Sequence, residues 1–150
     1  MSEKEITENN NLIVKFMGFR SELVEIDTNF NESIFKIMSD THLFYKRFRI
    51  NDVVKENGFN ENNPDEYFLR LIKLYYHVSW DWLMKVVSKI ESLESGIYQV
   101  DILQEGCKIL KRNQLLIDKT VSQVPVNITK IQSVFLAIVE FIKLYNNDKL

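Results

Sequence analysis

The sequence predicts an α+β fold: a mostly antiparallel sheet with helices packed on it, α-β-α sandwich-like, in a single domain spanning residues 1–150. Three observations carry this reading. Two late segments, near 80–93 and 128–145, repeat apolar residues at the helical period. Several short runs rich in β-branched and aromatic residues are bounded by turn-forming residues. The order is helix, two or three strands, helix, hairpin, helix. That order suits a sheet with helices gathered on it rather than a regular βαβ alternation. A chain of 150 residues is long enough for one well-buried core, since about 70% of the unfolded surface is removed from water at this size.

The first periodic segment runs from Glu3 to Met17. Ile6, Ile13, Phe16 and Met17 fall on one side of a helical wheel, and Gly18 stands where a helix C-cap belongs. Between residues 21 and 54 the pattern is weaker, with SELVEID, SIFKIM and LFYKRFRI as candidate strands. NGFNENNPDE, residues 57–66, combines Gly, Pro and four Asn with acidic residues and reads as a surface loop. YFLRLIKLYYHV suits either a strand or a helix. Ser79 resolves the choice: as an N-cap it starts a new helix, so the preceding chain reads as a strand ending near His77.

That helix spans Trp80 to Leu93, with Asp81 in its first turn, where a carboxylate suits the positive end of the helix dipole. Trp80, Trp82, Leu83, Met84, Val86, Val87, Ile90 and Leu93 share an arc of about 200°. Each tryptophan sits near one edge of the stripe. Glu91 and Glu94 fall inside the arc and must reach outward. Gly96 ends the helix. YQVDIL and CKIL, joined through Gln104-Glu105-Gly106, read as a hairpin, and LLIDKTV as a further strand before Pro125. Thr129 or Asn127 caps a last helix to Asn146. Its apolar side is Ile128, Ile131, Val134, Phe135, Ile138, Phe141, Ile142 and Tyr145. Leu136 and Leu144 lie outside that arc and suit a loop or another chain.

The totals exclude several functions. The net charge of −2 lacks the basic footprint of a general nucleic-acid binder. One cysteine, Cys107, allows no intramolecular disulfide and no multi-cysteine zinc site. The polar, acidic MSEKEITENNNL does not read as a signal peptide. No apolar run approaches the roughly 18 residues of a membrane span. The expected location is therefore the cytoplasm, without membrane attachment.

NLIVKFMGF (11–19), YYHVSWDWLMKVVSKIESL (75–93), the hairpin after it, and KIQSVFLAIVEFIKLYN (130–146) together resemble small phage and prophage proteins of the phage α-β-α sandwich domain family. The resemblance covers the first helix and the second half of the chain, and leaves 21–70 unmatched. It implies a fold and a phage or prophage setting, and brings no substrate, cofactor or catalytic residue.

Candidate sites are few. His77 and Asp81 would make an acid–base pair or half a metal site, but a metal needs about three protein ligands and no spacing supplies the third. Local packing is the favoured reading of His77. Trp80 and Trp82 would suit base stacking, yet their place at the stripe edges fits cover for the core. Tyr45-Lys46-Arg47-Phe48-Arg49 has the local look of a phosphate contact, or of a strand with one solvated basic face. Cys107 reads as a buried, inert thiol. No Walker loop, G-x-G-x-x-G, G-x-S-x-G or H-E-x-x-H is present. The expectation is a protein with no catalytic residue, metal or cofactor. It would bind a host or phage protein in the host cytoplasm as a small homo-oligomer. The alternative is a binder of a small anionic ligand such as a signalling nucleotide, held by Arg47, Arg49, Lys111 and Arg112.

Overall fold

The computed structural model describes residues 1–27, 32–39, 43–49, 64–120 and 127–150. Its elements are α1 (Glu3–Phe16), β1 (Arg20–Asp27), β2 (Glu32–Met38), β3 (Leu43–Arg49), α2 (Pro64–Leu71), α3 (Trp80–Ser92), a 3-10 turn (Leu93–Ser95), β4 (Tyr98–Leu103), β5 (Gly106–Lys111), β6 (Gln114–Thr120) and α4 (Lys130–Asn146). The strands form two antiparallel sheets, ordered β1-β2-β3 and β4-β5-β6. The class is α+β, as the sequence predicts. The residues group into two compact units, Met1–Ile13 with Leu74–Leu150, and Val14–Lys73.

The larger unit is built on two hairpins. β4 and β5 meet across Gln104-Glu105, with Leu103 opposite Gly106. β5 and β6 meet across Arg112-Asn113, with Lys111 opposite Gln114. Both Arg112 (φ 48) and Asn113 (φ 66) are left-handed, the backbone of a type I′ turn, whose twist matches that of the flanking strands. α4 lies along β5 and β6, α3 lies along β4, and the two helices touch. Thr129 caps α4 with a full capping box: Gln132 N donates to Thr129 Oγ1 at 3.3 Å, and Thr129 N donates to Gln132 Oε1 at 2.9 Å. Val134, Phe135, Ala137, Ile138, Val139, Phe141 and Ile142 are buried, a wider face than the predicted arc, while Leu136 and Leu144 are half-buried.

In the smaller unit, all three candidate strands between 21 and 54 are present. α2 packs along β1, and Ser21 donates both its N–H (3.0 Å) and its hydroxyl to Asp65 Oδ1. Lys15 pairs with Glu66 at 2.5 Å. Both side chains are about half exposed, so the pair adds little stability. Ile37, Phe68, Leu69, Val14 and Met17 are buried.

Two expectations change. Of the expected 57–66 loop, residues 57–63 lie outside the described residues, and Pro64, Asp65 and Glu66 begin α2. Proline is pre-shaped for the first helical position, and the acids suit the positive end of the dipole. The strand expected to end near His77 is absent. Residues 64–71 are helical, and the chain then runs irregularly into a turn in which Val78 N (3.1 Å) and Ser79 N (2.9 Å) both donate to the Tyr75 carbonyl.

Candidate functional site

The stretch from Tyr75 to Met84 places core and surface residues side by side. Ser79 is the N-cap of α3, and its Oγ accepts from Trp82 N at 3.4 Å. The helix buries Leu83, Val86, Val87 and Ile90. Trp82 is half-buried, with the rings of Tyr75 (5.6 Å) and Tyr76 (5.1 Å) set edge-on to it. Trp80 and Met84 belong to the predicted arc but lie at its opposite flank, one helical turn apart, and stay 40% and 43% exposed. Val78, just before the cap, is 60% exposed. The buried stripe is thus narrower than predicted, and its Trp80 flank leaves large apolar side chains in water.

His77 is structural. Asn10 is 3% exposed, and its Nδ2 donates to the Ile6 carbonyl at 3.0 Å and meets His77 Nδ1 at 2.9 Å. An amide nitrogen only donates, so Nδ1 is the acceptor and the neutral ring carries its hydrogen on Nε2. Rotating the amide would set its oxygen against the Ile6 carbonyl. Among the described residues, Asn10 Oδ1 has no hydrogen-bond partner. The His77 ring also meets Phe135 edge-on at 6.2 Å. Among the described residues, no three His, Cys, Asp or Glu side chains are grouped to hold a metal ion. His42 lies outside the described residues.

Burial holds the His77 pKa below the usual imidazole value of about 6.5. The unfolded chain therefore binds more protons than the folded one just below that value. The stability owed to neutral His77 is complete above about pH 6.5 and is lost as pH falls through the folded pKa. Melting temperatures should accordingly drop more steeply for the wild type than for His77→Gln between pH 7.5 and pH 5.5. Parallel curves would show that His77 does not titrate with unfolding.

Cys107 is buried, and burial first, then the nearby Asp101 carboxylate, push its thiol up to about 12. Such a thiol stays protonated at neutral pH and is a poor nucleophile.

The basic residues form two pairs, one in each unit. Arg47 and Arg49 lie on β3, and Arg47 is exposed. Lys111 and Arg112 stand at the β5–β6 turn, beside an open cavity of about 360 Å³ lined by them with Gln114, Leu115 and Leu116. Leu115 is 57% exposed there.

Sequence reasoning missed two features. Asn10 is a polar residue on the buried side of α1, four residues after Ile6 and three before Ile13, which was its signal. Two acids bond to strand backbone. Glu91, flagged as standing inside an apolar arc, accepts Val100 N at 3.4 Å, and Asp118 accepts Thr120 N at 3.0 Å. Among the described residues no helix is long and apolar enough to cross a membrane. No family model, curated protein or solved structure matches the chain.

Proposed function

We propose that this is a non-enzymatic phage or prophage accessory protein that binds a host or phage protein in the cytoplasm of the host cell, working as a small homo-oligomer. The observation that carries the reading is the apolar surface at the start of α3, where Val78, Trp80 and Met84 are all at least 40% exposed. Exposed large apolar side chains gathered near one helix end are the usual mark of a protein contact, and tryptophan is enriched among the residues that dominate binding energy. The resemblance of SWDWLM and its flanking segments to phage proteins supports the setting. A pull-down from host lysate, identified by mass spectrometry, tests it. Trp80→Ser with Met84→Ser should lose the captured partner while keeping the wild-type circular dichroism spectrum. Capture of the same proteins by the double variant would overturn the assignment of this face. Light scattering should return a dimer mass, with the half-buried Leu136 and Leu144 of α4 as contact residues. A monomer at high micromolar concentration would refute the oligomer.

A second reading is favoured by the cavity beside Lys111 and Arg112. Its volume, about 360 Å³, falls within the range of small-molecule sites, and two adjacent cations suit an anionic ligand such as a signalling nucleotide. A thermal-shift panel of nucleotides separates the readings, because a ligand at 100 times its Kd adds about 2.7 kcal/mol. A shift that disappears in Lys111→Ala with Arg112→Ala would favour the ligand reading.

A further inference from the structure

Asn10 fastens the first turns of α1 to the turn that precedes α3. Residues 1–5, 7 and 8 are exposed, Ile6 and Asn9 are half-buried, and Asn10 is the first buried side chain of the helix. The side chains before it bond within the helix: Ser2 to Glu5, Thr7 to the Glu3 carbonyl, Lys4 to Glu8. The Asn10 contact instead reaches His77, a residue distant in sequence but in the same compact unit.

This contact requires a neutral ring. The Asn10 amide commits one hydrogen to the Ile6 carbonyl at 3.0 Å and the other to His77 Nδ1 at 2.9 Å. An imidazolium carries hydrogens on both nitrogens, so its Nδ1–H would point at the Asn10 nitrogen, donor against donor. Rotating the amide would offer Oδ1 to the ring, but in the place that Nδ2 holds, 3.0 Å from the Ile6 carbonyl oxygen. Neither arrangement keeps both bonds, and a mismatched polar pair is costly where it is buried.

Two helices meet the ring, α1 through Asn10 and α4 through Phe135. One turn either side of Asn10 stand Ile6, Thr7, Ile13 and Val14. One turn either side of Phe135 stand Ile131, Gln132, Ile138 and Val139. None of these titrates. In the segment of His77 itself, Lys73 and Asp81 are exposed, and tyrosines such as Tyr75 and Tyr76 ionise only near pH 10. No carboxylate on these faces is placed to take the hydrogen that a charged ring would gain at Nδ1.

We propose that the Asn10–His77 contact is a protonation-sensitive latch: charging His77 releases residues 3–10 of α1 from their compact unit, while α3, α4 and β4–β6 stay folded. Burial of the imidazole sets the direction. The latch is shut at neutral pH and opens as pH falls through a folded pKa below about 6.5.

The test is a titration of the intact protein from pH 7.5 to pH 4, following the His77 ring and the backbone amides by NMR. The amides of residues 3–10 should lose their helical shifts with the same midpoint as the His77 ring, while those of α4 hold theirs. Glu3, Glu5 and Glu8 lose charge at the low end of this range, and His77→Gln separates their effect. Its side-chain oxygen can still accept from Asn10 but does not titrate, so residues 3–10 should keep their shifts in that variant. Asn10→Asp supplies an acceptor for the charged ring, and should raise the His77 midpoint by about one unit or more and keep residues 3–10 docked to lower pH. Residues 3–10 unmoved while His77 titrates, movement of α4 together with them, or release of His77→Gln at the wild-type pH would each overturn the latch.

Discussion

Gly106→Ala is expected to lower the melting temperature by on the order of 10 °C. Gly106 opens β5, the central strand, and is paired on both sides, to Leu103 in β4 and to Thr120 in β6. Its φ of +142° lies where L side chains are rarely found. A Cβ built there would fall against the Lys119 carbonyl oxygen at a distance no van der Waals contact allows, and 2.8 Å from Thr120 Cα. Both obstacles are backbone, so no side-chain rotation relieves them. Strained φ costs about 1–3 kcal/mol, and forced overpacking adds about 1–3. Against a total of about 5–15 kcal/mol this is a large loss, and at this chain length each kcal/mol is worth about 2–4 °C. Calorimetry gives the shift. The neighbouring Cys107, buried in the wild type, gives a local readout, since its reaction with a thiol reagent should accelerate in the variant. A variant that melts like the wild type and keeps its thiol protected would mean that β6 does not approach β5 as closely as described.

The elements that could be read from sequence are those whose signals are local. α4 announces itself through Thr129 and Gln132, whose capping box is complete within four residues. α1 is closed by Gly18, two residues past its last residue, with φ +82° and its N–H bonded back to the Lys15 carbonyl at 3.1 Å. The segment before α3 misled because an N-cap at Ser79 requires only that the chain before it leave the helix, not that it form a strand. Leu74 and Tyr76 are buried and Tyr75 is exposed, the period of a β-strand, yet the Tyr75 carbonyl is spent on a turn rather than on a ladder. Periodicity reports which side chains are covered, not what the backbone bonds to. The same limit hides the candidate surfaces. Arg47 and Arg49, or Lys111 and Arg112, can be paired by spacing alone, because each pair lies within one strand or at one turn. That Asp65 and Glu91 bond to the backbone of β1 and β4 depends on how the helices pack on the strands, which no local pattern contains.

The role of SWDWLM is decided by four substitutions within it. Leu83 is fully buried under α3, so Leu83→Ala removes apolar contact and leaves a cavity, at a cost of about 2–5 kcal/mol. Trp82→Ala should approach the lower part of the range of about 3–5 kcal/mol for a large aromatic, because the ring is only half-buried although it meets both Tyr75 and Tyr76. Ser79→Ala should cost about 1 kcal/mol as a lost N-cap, an effect softened by the long 3.4 Å contact to Trp82 N. Trp80→Ala, at the exposed flank, should change stability by about 0.5 kcal/mol or less and should instead reduce partner capture. The expected order of melting temperatures, lowest first, is Leu83→Ala, Trp82→Ala, Ser79→Ala, Trp80→Ala. Urea titration of the same set gives free energies by linear extrapolation. If Trp82→Ala melts like the wild type while losing the partner, both tryptophans belong to the binding face. If Trp80→Ala falls as far as Leu83→Ala, the stretch is core throughout and the contact surface lies elsewhere. The predicted order divides the motif between its two flanks: Trp82 and Leu83 hold α3 in place, and Trp80 with Met84 forms the exposed face proposed for binding.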